Sequence, residues 1–145
     1  MRVAGITIAM LIAGVVRGES DIPTPECKVA VCMERADIRT APNVLPFAQT
    51  LASRMYASIG VAIDWRSDLR GCPAEGILIT LSSHTPENVT TSALAYAKPY
   101  EGKYILVLYD RIACERQIPF VLGHILTHEI SHMLQGFAAI QLPAV

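Results

Sequence analysis

The sequence predicts an α+β fold: a twisted mixed sheet of about five strands, a backing helix, and a second helix that carries the candidate chemistry. Two observations predict it. Five short runs rich in Val, Ile, Leu and Tyr are bounded by turn residues, and two longer segments repeat apolar residues at helical spacing. Their order is strand, helix, four strands, helix, so a sheet covered on one face by both helices would bury both apolar stripes.

Ile22-Pro23-Thr24-Pro25 is an extended lead-in, because each proline fixes its own backbone and restricts its predecessor. Lys28–Met33 follows as the first strand. Pro42 and Asn43 open a helix to about Ile59, with Leu45, Ala48, Leu51, Ala52, Met55 and Ile59 as its stripe and Gly60 placed to stop it. Val61–Trp65 and Ile77–Ser82 are strands, the second entered through the turn residues Gly71-Cys72-Pro73 and Gly76. The polar stretch from Ser82 to Ser92, holding His84, is a loop. Ala93–Ala97 is a weak strand ended by Lys98-Pro99, which suits a sheet edge. Tyr104–Tyr109 has the strongest strand pattern and Asp110-Arg111 closes it. No repeat, low-complexity tract or linker divides the chain.

With 145 residues, one domain with a real core is expected. A net charge of −1 points to neither nucleic acid nor an anionic surface. Residues 1–18 read as a signal peptide: Met1-Arg2, an apolar run Val3–Val16, and a small residue at Gly18 before the polar Glu19-Ser20-Asp21. The run is shorter than the ~20 residues that span a bilayer, so no stable membrane insertion is expected after cleavage. The mature domain, 19–145, would then be mildly acidic and secreted or periplasmic. Cys27, Cys32, Cys72 and Cys114 suit an oxidising compartment and allow two disulfides in any of three pairings. Their scatter, without Cys-x-x-Cys, argues against a cysteine zinc or redox site. Asn88-Val89-Thr90 is a glycosylation acceptor only in a eukaryotic host.

The chemistry concentrates in Pro119–Gly136, which contains His128-Glu129-Ile130-Ser131-His132. On a helix His128 and His132 stand one turn apart on one face, and Glu129 lies about 100° round from His128. Two neutral imidazoles so placed can share a zinc ion, and a carboxylate beside them can take a proton from water. Leu122, Leu126, Ile130, Met133 and Leu134 form an apolar stripe opposite, so one face packs while the other is left for chemistry. With four histidines and eight glutamates in the chain, a chance match of this pattern is on the order of one in a hundred before the helical context is required. His124 lies a further turn back on the same face. A straight run of three turns cannot wrap three ligands round one tetrahedral ion, so His124 reads as a packed histidine or as one that supports the ligands without binding the ion.

The layout resembles the zincin metallopeptidases, whose upper subdomain has a twisted sheet, a backing helix and an active-site helix carrying His-Glu-x-x-His. Its closer resemblance is to small secreted bacterial proteins of metzincin-like appearance. The matching residues are Tyr109-Asp110-Arg111-Ile112, then Leu122, Gly123, His124, His128, Glu129, His132, Leu134 and Gly136. The resemblance implies zinc held by His128 and His132, Glu129 as general base, and peptide or protein substrates hydrolysed while extended along an edge strand, for which Ala93–Ala97 is the candidate. Relatives of this kind continue into a third histidine in a segment like His-Ser-x-x-Gly-x-Met. Here the residues from Met133 to Val145 include no His, Asp, Glu or Cys.

A catalytic zinc normally has three protein ligands and an open position. The candidates for the missing one are His84, the terminal carboxylate of Val145, or a partner chain; loss of the C-terminal segment is the further expectation. Alternative readings are a non-catalytic remnant of such a peptidase and a disulfide-stabilised binding module with structural histidines.

Overall fold

The computed structural model describes residues 27–87, 89, 92–98 and 103–141. The signal peptide, the proline lead-in, the glycosylation acceptor and the last four residues therefore lie outside the described residues.

β1 (Cys27–Arg35) is the longest strand. Side chains alternate along a strand, so Val29, Val31 and Met33 share one face, and all three join the hydrophobic core. Ile77, Ile79 and Leu81 of β3 (Ile77–Ser82) and Ile105 and Val107 of β5 (Tyr104–Leu108) repeat the pattern without solvent exposure. β2 (Val61–Arg66) and β4 (Ala95–Lys98) complete a five-stranded sheet in the order β2-β1-β3-β5-β4. β2, β1, β3 and β5 are parallel, while β4 runs antiparallel to β5. A mixed sheet is what the sequence predicts, and Ala95–Lys98 is an edge strand as expected, two residues later than Ala93 where the pattern begins.

Parallel neighbours need a crossover, and the helix α1 (Val44–Ala57) supplies it between β1 and β2. Its buried face is Val44, Ala48, Ala52 and Tyr56. Ile59, expected in the stripe, lies beyond the helix and is 70% exposed. The chain has already left α1 there, and Gly60 turns it into β2 at φ +79°, a backbone conformation side-chain-bearing residues rarely adopt.

Tyr109 also differs from expectation. It begins a single helical turn, α2 (Tyr109–Ile112), because Tyr109 and Ile112 bury their side chains at helical spacing. α3 (Ile118–Gln141) then packs with α1 on the core face of the sheet. It runs past Gly136, so that glycine does not end it.

Cys32 and Cys72 form a disulfide, whereas Cys27 and Cys114 are exposed free thiols. Two disulfides do not form because Cys27 opens β1 and Cys114 follows β5, at opposite ends of parallel strands. Among the described residues no helix is long and apolar enough to cross a membrane.

Candidate metal centre

The rotation of α3 about its axis decides what the histidines face, and three contacts set it. Leu122, Leu126, Ile130 and Met133 have no exposed surface and point into the core. Gly123 lies where a Cβ would sit 3.1 Å from Leu51 Cβ and 3.2 Å from the Ala48 carbonyl oxygen, so α1 and α3 approach closely at small residues. One turn further on, the buried Tyr56 hydroxyl donates to the Thr127 carbonyl at 2.7 Å and lies 2.8 Å from Ser131 Oγ. Burial raises the pKa of this phenol, with the Ser131 hydrogen bond opposing, and keeps it a neutral donor.

With those flanks held, His128 and His132 project to solvent. Their Nε2 atoms are 2.9 Å apart, and the rings stand at 90° with centroids 4.5 Å apart. As neutral imidazoles, one Nε2–H donates to the other's lone pair. Zn–N bonds of ~2.0–2.1 Å at a tetrahedral angle place two nitrogens about 3.3 Å apart. The pair therefore fits two cis positions on zinc after a shift of a few tenths of an ångström.

Glu129 points to the other flank of the ridge. It lines a groove of about 430 Å³ with Ala93, Leu94, Ala95, His124, Ile125 and His128. Burial raises its pKa, and positive charge on His128 and His132 opposes the rise. A carboxylate in such surroundings is a stronger base than one in water. The groove thus joins a basic carboxylate to an antiparallel edge strand.

The sequence places Arg111 at the close of a strand and within the matching motif but assigns its side chain no contact. Its Nη1 donates to the Ala93 carbonyl, tying α2 to the segment that leads into β4 beside Glu129. Tyr56 is likewise absent from the stripe that periodicity predicts. Its place four residues after Ala52, on the turn where Ala48 and Ala52 recur, was the available signal.

His124 packs, but at the surface: its ring meets Phe120 edge-on with centroids 4.6 Å apart, and it remains exposed. His84 lies in the loop after β3, where Nδ1 bonds Asp37 Oδ2. Asp37 also accepts the Ser83 backbone N–H at 2.9 Å and hydroxyl at 2.6 Å. The two bonds from Ser83 hold its carboxyl at about 2 against an opposing effect of burial, with a lesser contribution from His84.

Among the described residues no group of three or more His, Cys, Asp or Glu is arranged to hold a metal ion. His84 is therefore not brought to the His128–His132 pair, which stands as two donors and a neighbouring carboxylate. No known protein family matches the sequence, and neither curated proteins nor solved structures include a match.

Proposed function

We propose that the chain is a zinc-dependent peptidase of zincin type, acting outside the cytoplasm, with His128 and His132 as metal ligands and Glu129 as general base. One observation carries the reading: two imidazole nitrogens 2.9 Å apart stand beside a half-buried carboxylate that opens onto a groove bordered by an edge strand. Zinc, when bound, would supply Lewis acidity toward the scissile carbonyl and toward water. The protein's own residues do the rest. β4 offers main-chain donors and acceptors to an extended peptide, which needs little side-chain selectivity. Glu129 takes a proton from the attacking water and delivers it to the leaving amine. Leu94, Ile125 and the alanines keep that side of the groove apolar, which sustains the basicity of the carboxylate.

The test is hydrolysis of a quenched peptide library with and without zinc. Wild type is expected to cleave only with zinc, and Glu129→Gln to keep its zinc while losing roughly 10²–10⁴-fold in rate. Equal cleavage by the two proteins would sink the assignment.

A second reading, a peptidase fold retained without hydrolysis, is favoured by the ligand count: only two donors converge among the described residues. It predicts zinc-insensitive protein with no cleavage of any library member.

A further inference from the structure

Among the described residues the donors that converge at His128 and His132 stop at two. The sequence holds four histidines, His84, His124, His128 and His132, and all are described. His84 is committed to Asp37 in the loop after β3, and His124 faces Phe120. Of the four cysteines, two are joined in a disulfide, and no third donor groups with the pair among the described residues. Cys27 and Cys114 are free thiols that do not group with the pair, so among the described residues no further imidazole or thiolate completes a tetrahedral site at His128 and His132. Two donors at cis positions are half of one.

The surface around the pair suits a second copy. His128 and His132 are exposed on a ridge of α3 that continues through His124 to Phe120, which is 46% exposed, and on to Gln135. Within the 24 residues of α3, Glu129 is the only Asp, Glu, Lys or Arg. Its side chain lies in the groove toward β4 and off the ridge. Two such ridges can meet across a two-fold axis without like charges opposing, and an isologous contact brings each pair against the other.

We propose that zinc is shared between two copies of this chain, with His128 and His132 of each supplying the four nitrogens of one tetrahedral ion on the two-fold axis. A four-nitrogen site is closed and structural, with no open position for water. The proposal shares with the peptidase reading the premise that the pair binds zinc, and parts from it at the remaining ligands. The zinc-bridged pair is a self-association device, and hydrolysis is not needed for it.

The test is sedimentation velocity on the purified, metal-stripped chain titrated with zinc, with bound zinc measured across each boundary. The expected result is a doubling of mass, complete at one zinc per two chains and reversed by a chelator. Cobalt(II) in place of zinc should give the intense visible absorption of a tetrahedral site at the same ratio. His132→Ala should stay monomeric in zinc while keeping the wild-type urea midpoint, since its side chain is exposed. Glu129→Gln should dimerise like wild type, because Glu129 lies in the groove toward β4 and supplies no ligand to the shared ion. A monomer holding one zinc per chain would overturn the proposal and leave the peptidase reading standing. Absence of zinc uptake at micromolar metal would overturn both. Dimerisation that survives His132→Ala would overturn the shared site alone.

Discussion

Asp37 shows how a single carboxylate redirects a histidine. Sequence offers His84 as a candidate third ligand because it is one of four histidines and sits in a polar loop. Asp37, 47 positions earlier in the chain, takes its Nδ1 instead. The same carboxylate should mark the acid limb of stability. Its folded pKa of about 2 lies below the ordinary 3.8, so the unfolded chain binds the proton more readily. The stabilisation is complete above pH ~4 and fades as pH falls toward about 2. Asp37→Asn is expected to flatten the dependence of urea midpoint on pH across that window and to leave the slope at neutral pH unchanged. A wild-type slope in the variant would assign the acid limb to other carboxylates. The candidate site is legible at this scale where it is local: His128, Glu129 and His132 lie within five residues, and helical periodicity alone places them. His84 and Asp37 meet through β1 and β3, and nothing local announces that contact.

At the scale of the element, α3 depends on α1 for its orientation. Sequence assigns α1 an apolar stripe with no chemistry, and Ala48 and Ala52 look like ordinary core residues. The small residue that matters is Gly123 itself, which approaches Leu51 and the Ala48 carbonyl too closely for a comfortable Cβ. Gly123→Ala sets two effects against each other. Alanine favours the helix by ~1 kcal/mol, while overpacking against a backbone carbonyl and Leu51 costs ~1–3 kcal/mol. Because the contact is with backbone on a packed helix, net destabilisation of about 1 kcal/mol is expected, read as a lower urea midpoint. The variant should also weaken zinc uptake if Tyr56 loses its grip on Thr127 as the helices separate. An unchanged midpoint would show that α1 and α3 can move apart freely. Element boundaries were least legible where the chain changes direction: Tyr109 has strong strand propensity, yet the turn into α2 takes it, because burial beside Ile112 outweighs a local preference.

At the scale of the whole molecule, the sheet brings distant pieces to one groove. β4 is the last strand in the order and antiparallel to its neighbour, so Ala93–Ala95 come to lie beside α3. On the other part of the sheet the Cys32–Cys72 disulfide closes a loop across a separation of 40 residues. Constraining the unfolded chain over such a loop is worth about 3–4 kcal/mol. Reduction, or Cys32→Ala with Cys72→Ala, should lower the unfolding free energy by about that amount in urea. A loss under ~1 kcal/mol would mean that the reduced chain keeps the loop closed by other contacts. Periodicity by itself determined the five strands and the two long helices, the placement of β3 over Ile77–Ser82, the buried stripe of α3 and the pairing of His128 with His132, because each depends on neighbours within a few residues. Only the tertiary structure decided the strand order, which cysteines pair, the separation of His84 from the other histidines and the wall opposite Glu129. Those depend on which strands become neighbours, a property of the global packing that no local spacing encodes.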